Sequence, residues 1–280
     1  MKSSGIVAVR AACLVALGLW ASAGRAASEH ELNVGAQVEQ LCDARTLAVV
    51  GRFVNVQNFR EPALGHEADA GATVAAAACR SAPAYHGRLV AAVYRSGHQD
   101  DLLLVIALLD PAGGVVSSFK GAMDGDPALR IVSGSLWLDT AAYELAPGVR
   151  AFGLDVTSGA PRGCAGVGSG ARRSLFLSQG RFVRPVLQDL PMSEWALIQR
   201  GKSACTDSSA PDLTITENFS ASLGLAQTST RGYRDLVVTG LASRDDGHLD
   251  ERPPFSAVLK WDGRFYSIDA QQQAWTAWRQ

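Results

Sequence analysis

Eight consecutive apolar residues, Leu102 to Leu109, run directly into Asp110-Pro111-Ala112-Gly113-Gly114. That length suits a buried strand and falls far short of the roughly 20 apolar residues a membrane-crossing helix needs. Proline presets the corner, glycine accepts positive φ, and Val115-Val116 resumes an extended pattern, so the segment predicts a hairpin.

The same punctuation recurs from His86 onward. Leu89 to Tyr94 forms another apolar run. Phe152, Leu154 and Val156 alternate with Ala151, Gly153 and Asp155 behind a Pro147-Gly148 turn, the period-two pattern of a half-buried strand. Gln179-Gly180 separates Leu175-Phe176-Leu177 from Phe182-Val183 as a hairpin loop. Asp262-Gly263 joins Ala257–Trp261 to Arg264–Ile268, and a type I′ turn favours that dipeptide. One helix is expected within this region. Ser193 caps the run Glu194 to Arg200, Trp195 and Ile198 share a face, and Gly201 closes the end. Trp275 and Trp278, three residues apart near the end of the chain, are expected to dock on the body.

Residues 24–85 differ in character. They are alanine-rich, with Val38, Leu41 and Cys42 at helical spacing and a similar pattern from Ala68 to Cys79, while Thr46 to Val54 reads as a strand. The expected fold is therefore mainly β (α+β): antiparallel sheets forming a sandwich or a propeller-like stack over residues 86–280, preceded by a small, mostly helical N-terminal lobe. With 47% hydrophobic residues in a chain of 280, there is ample apolar material for a packed interior.

Residues 1–23 follow the plan of a secretory signal peptide. Lys2 and Arg10 supply the basic region, Ala11 to Trp20 the apolar one, and Ala21-Ser22-Ala23 the small-residue edge, with cleavage after Ala23 or Ala26. No transmembrane segment is expected after cleavage. Four cysteines remain, Cys42, Cys79, Cys164 and Cys205, an even number that suits two disulfides in an oxidising compartment. Three pairings are open. Cys42 with Cys79 and Cys164 with Cys205 close the shortest loops. The formal net charge of −1 becomes more acidic once Lys2 and Arg10 leave, which argues against nucleic acid as a partner.

The search for chemistry gives candidates for binding and none for catalysis or metal ligation. The stretch Gly163 to Gly170 lacks the strand-before, helix-after context of a phosphate loop, and no Gly-x-Ser-x-Gly occurs. His30, His66, His86, His98 and His248 are scattered. The acidic segment Asp245-Asp246-Gly247-His248-Leu249-Asp250-Glu251, followed by Arg252, forms a binding-loop candidate, with Trp261 and Tyr266 beside the Asp262-Gly263 turn. Ligand-binding candidates are thus Asp245, Asp246, Asp250, Glu251, Arg252, Trp261 and Tyr266. No cofactor is expected.

Arg234-Asp235-Leu236-Val237-Val238-Thr239-Gly240, a variable loop, and the hairpin closing on Trp261-Asp262-Gly263-Arg264-Phe265-Tyr266 resemble the strand and glycine hairpin of FG-GAP or VCBS-type repeats. They are also similar to the Trp-Asp-Gly-x-x-Tyr ending of uncharacterised exported bacterial β-rich proteins. The likeness covers about 35 residues, and Thr230-Arg231-Gly232-Tyr233 stands where those repeats carry an Asp-x-Asp-Gly-Asp calcium loop. It implies a propeller-like or sandwich architecture. The function expected is a non-catalytic binding or structural role in the periplasm or outside the cell, toward an envelope protein or glycan. The alternatives are a glycan hydrolase drawing on carboxylates such as Asp245, Asp246 or Glu251, and a structural subunit anchored by Trp275 and Trp278.

Overall fold

The computed structural model describes residues 40–55, 73–95, 102–123, 131–158, 167–199, 215–247 and 252–279. Its elements are α1 (Ala44–Phe53), β1 (Thr73–Ala82), β2 (Gly87–Arg95), β3 (Leu102–Leu109), β4 (Val115–Met123), β5 (Leu136–Ala146), β6 (Val149–Thr157), β7 (Val167–Ser169), β8 (Ala171–Gln179), β9 (Phe182–Pro191), β10 (Ser193–Gln199), β11 (Ile215–Thr230), β12 (Tyr233–Arg244), β13 (Phe255–Leu259) and α2 (Asp269–Arg279). The fold is mainly β, as the turn-punctuated apolar runs require.

Two sheets are present. The larger has the order β1-β2-β3-β4-β9-β8-β6-β5, the smaller β13-β12-β11-β10-β7. The larger sheet is made of two antiparallel meanders, β1–β4 and β5-β6-β8-β9, which meet along two seams. At one seam β4 and β9 share a single parallel pair, Ser118 with Phe182. The Ser117 and Ser178 hydroxyls, 2.9 Å apart, reinforce it. At the other, edge strands β1 and β5 are linked through Gln40. Its backbone carbonyl accepts the Cys79 N–H at 2.7 Å. Its side-chain amide pairs with Leu138 as a peptide group would, Oε1 accepting the Leu138 N–H at 2.7 Å and Nε2 donating to the Leu138 carbonyl at 2.9 Å. Arg80 donates to that carbonyl as well, also at 2.9 Å. The sheet therefore curls into a nearly closed, barrel-like body.

Three apolar layers result. Between the meanders lie Ala76 and Ala78 of β1, Ile106 of β3, Leu138 of β5, Phe152 of β6 and Phe176 of β8. Outside the first meander, Leu47 and Val50 of α1, with Val54 just past its end, cover Val90, Ala92 and Val105. Outside the second, Leu145, Leu175 and Leu187 pack against Phe219, Leu236, Val238 and Leu259 of the smaller sheet. The last helix closes this layer. Trp275, 2% exposed, packs edge-to-face on Phe255 and donates from its indole nitrogen to Glu194 at 2.9 Å. Trp278, partly buried against the same layer, donates to the Pro253 carbonyl.

The hairpin after Leu109 forms as expected, with Gly113 at φ 87° and Asp110 accepting the Gly114 N–H. So do the turns at Pro147-Gly148 and near Gly180. Elsewhere the structure corrects the sequence. Thr46 to Val54 is helical, because Asp43 caps the segment by accepting the Thr46 N–H at 2.7 Å and Leu47, Val50 and Val54 share one face. The described part of the Ala68–Cys79 segment is strand β1, its alanines small enough to sit on both crowded faces of a central layer, so packing overrides alanine's helix preference. Residues 193–199 form strand β10 where a helix was expected. Ser193, the expected cap, instead accepts the Ala171 N–H with its hydroxyl and the Gly170 N–H with its carbonyl. The expected type I′ hairpin at Asp262-Gly263 reduces to one pair, Trp261 with Tyr266. The chain leaves the hairpin there because the Tyr266 N–H donates to Val186 of β9 at 2.7 Å.

Cys42 and Cys79 form a disulfide with their Cα atoms 5.0 Å apart, fastening the residue before the Asp43 cap to β1. Cys164 and Cys205 lie outside the described residues, as do residues 1–23, expected to be a signal peptide, and residues 24–39.

Candidate functional site

Of the acidic loop candidates, Asp245, Asp246 and Arg252 are engaged in local structure. Asp245 closes the end of the β11–β12 pair. Its carboxylate accepts the Thr216 N–H at 2.9 Å, and its own N–H donates to the Thr216 carbonyl. Asp246 pairs with Arg244 at 2.6 Å. Arg252 bonds Glu217 and lies 5.3 Å from the ring centres of both Phe219 and Trp278, a cation sandwiched by aromatic faces. Asp250 and Glu251 lie outside the described residues.

Trp261 and Tyr266 are core residues, 4% and 2% exposed. Trp261 stacks on Tyr233 with ring centres 4.5 Å apart, and the Arg184 guanidinium lies 5.8 Å over its ring. The Tyr266 hydroxyl donates to the Arg234 carbonyl at 2.6 Å, and burial pushes its pKa up. Asp262 accepts the N–H groups of Phe265 and Arg264, which hold its carboxyl below the usual range. Trp261 and Tyr266 thus anchor the turn from within the core.

A second polar cluster joins β5, β6 and β8. Arg173 donates to both Asp155 oxygens, at 2.6 and 2.7 Å, and lies 2.9 Å from an Asp139 oxygen. The Tyr143 hydroxyl donates to Asp139 and accepts from Arg173. Burial alone would lower the Arg173 pKa, but the Asp155 hydrogen bonds and charge raise it. Burial raises that of Tyr143. Two carboxylates locked on one guanidinium form a structural clamp, since neither has an oxygen presented to an open groove.

An open cavity lies at the β4–β9 seam. Beyond the Ser118–Phe182 pair the two strands diverge, and a cavity of about 540 Å³ opens between the meanders. Leu154 and Phe176 form its floor and are buried. Leu104, Phe119 and Met123 are partly buried around its mouth, packed against the same apolar layer. An aromatic series runs behind the floor: Phe119 to Phe176 at 5.6 Å, Phe176 stacked on Phe152 at 5.9 Å, and Phe152 edge-on to Tyr85 at 5.8 Å. Burial raises the Tyr85 pKa to about 12, so its hydroxyl, donating to the Arg150 carbonyl, stays protonated.

The rim is polar. Arg172 donates to the Asp189 carbonyl at 3.0 Å, and the Ser174 hydroxyl accepts the Asp189 N–H at 3.1 Å. Asp189 has φ 53°, a left-handed conformation that costs a non-glycine residue about 1 kcal/mol or more. It sits in an irregular register where Arg173 pairs with Leu190 but Leu175 with Leu187, so β9 carries a bulge that bends it away from β4. The cavity and the strain therefore share one local cause.

Sequence reasoning does not reach these residues. Leu104, Phe119, Leu154 and Phe176 come from four strands and carry no joint short-range signature. The two prolines that flank the bulge, Pro185 and Pro191, are the local sign that this edge departs from regular pairing. Among the described residues no cluster of three or more His, Cys, Asp or Glu side chains could hold a metal ion, and no helix is long and apolar enough to cross a membrane. Comparison with known protein families, curated proteins and solved structures finds no match to this chain.

Proposed function

We propose that this protein is an exported, non-catalytic binding protein of the bacterial envelope, periplasmic or secreted, and that its ligand enters the cleft between the two meanders. The observation that carries the reading is the cleft itself: a cavity of about 540 Å³ with an apolar floor and a polar rim, beside a strained backbone residue. That size and lining are what small-molecule sites have in common. The basic, apolar and small-residue segments of positions 1–23 and the Cys42–Cys79 disulfide support an oxidising destination. The loop 245–252 is the weaker site, because Asp245, Asp246 and Arg252 are already engaged by Thr216, Arg244 and Glu217.

Two measurements test this. Fractionation of bacteria producing the full chain should find it outside the cytosol, trimmed after Ala23 or Ala26, with Cys42 linked to Cys79 and Cys164 to Cys205. An untrimmed chain with free thiols in the cytosol overturns export. Native mass spectrometry of the exported protein should then show a small-molecule adduct. A variant with Ala122→Trp at the cleft mouth should lose it. An adduct carried equally by both proteins places the ligand elsewhere and overturns the cleft.

A further inference from the structure

The walls of the cleft also specify the chemistry of its occupant, an inference that rests on the cleft being the binding site. Three observations bear on it. First, the floor and one side of the mouth are hydrocarbon and aromatic, with Phe119 and Met123 only partly buried, opposite the polar rim. An occupant that covers such side chains gains about 25 cal/mol for each Å² of apolar surface it removes from water. Second, Arg172 stands on the rim and gives a hydrogen bond to a neutral carbonyl, that of Asp189. Among the described residues no carboxylate pairs with it, and it is the one cation among the described side chains that line the cavity, sharing the rim with the Asp189 carboxylate, so it is the group there that would answer an anion. Third, the β9 edge that faces the gap is unsuited to an added peptide strand. Pro185 and Pro191 lack N–H groups and the left-handed Asp189 turns the edge away, devices that stop a ladder from growing.

We propose that the cleft binds a single-chain amphiphile with an anionic head, its hydrocarbon tail between the meanders over Leu154 and Phe176 and its head on Arg172. A cavity of this volume accommodates one such molecule and not a folded segment. A charge-assisted contact from the guanidinium then distinguishes an anionic head from a neutral one of equal tail length.

Calorimetric titration of the trimmed, oxidised protein with dodecanoate and with dodecanol, both below their self-association limits, tests the proposal. Dodecanoate should bind saturably at one per chain, about tenfold more tightly than dodecanol, as expected of one charged hydrogen-bonding contact. Arg172→Gln should remove that preference and leave dodecanol binding unchanged. Ala122→Trp or Gln188→Trp, each at an exposed position on the cleft and checked for wild-type thermal unfolding, should abolish binding of both. Equal affinity for the two probes in wild type and Arg172→Gln overturns the anionic head while the cleft stands. Failure of both probes to bind, with the native adduct still lost in Ala122→Trp, overturns the amphiphile but not the site. Dodecanoate binding that survives both tryptophan variants overturns the site as well.

Discussion

At Arg173 one guanidinium answers two carboxylates, and the energetics of the clamp follow from its partial burial. The Arg173 side chain is 14% exposed, those of Asp139 and Asp155 17% and 12%. Arg173→Met leaves two neighbouring carboxylates without their cation, and breaking a buried pair in this way costs about 3–5 kcal/mol. Urea unfolding at pH 7 should show that loss. It should shrink as the pH is lowered, because the orphaned carboxylates then take up protons. Asp43 makes a different pH statement. The Thr46 backbone N–H and hydroxyl, with Arg88 beyond them, hold its pKa at about 2 against an ordinary 3.8. A carboxylate whose folded pKa is depressed stabilises fully above its unfolded value and loses that contribution as pH falls through 3.8 toward 2. Asp43→Ala should cost about 1 kcal/mol at neutral pH, the usual worth of a helix N-cap. It should also flatten the stability profile over that acidic window, measured by thermal unfolding as a function of pH.

At the scale of elements, close approach decides what each strand tolerates. A Cβ added at Gly240 would stand 2.4 Å from the Trp275 ring, so the glycine is what lets α2 seat its tryptophan on β12. Gly240→Ala should destabilise by about 1–3 kcal/mol through overpacking, seen as a lower midpoint in denaturant together with a changed tryptophan emission. The elements also show how much of the fold was legible. The Leu102–Leu109 strand and its Asp-Pro-Ala-Gly-Gly turn could be read directly, since an eight-residue apolar run bounded by turn residues has few other uses. The segments 46–54, 73–82 and 193–199 could not. In the first, a run that reads as a strand is governed instead by the Asp43 cap and the spacing of Leu47, Val50 and Val54. In the second, alanine favours a helix in isolation, but the position lies between two apolar layers that need small side chains in extended backbone. In the third, a serine that suits a helix start serves the backbone N–H groups of Gly170 and Ala171. The cleft was illegible for a related reason: it exists because β9 bulges away from a strand that precedes it by about 60 residues.

For the molecule as a whole, closure of the larger sheet depends on one side chain more than on any ladder. Gln40, 3% exposed, supplies both the donor and the acceptor that a missing strand would have offered to Leu138. Gln40→Leu keeps the volume but leaves the Leu138 N–H without a partner and its carbonyl with Arg80 alone. The expected cost is about 2–3 kcal/mol, in the range for an orphaned buried polar group. Hydrogen exchange should localise it to faster opening of β1 and β5, with the smaller sheet unaffected. Uniform acceleration across both sheets would mean that closure is not a separable event.

The arrangement of the first meander also sets a timetable. β1, β2, β3 and β4 are neighbours in space and successive along the chain, so each strand leaving the ribosome finds its partner in the segment just before it. Gln40 waits for a partner 98 residues later. Until Leu138 arrives, the nascent first half is an open, half-dressed sheet whose apolar side faces outward, and a helper that shields such surface during synthesis would act in that interval.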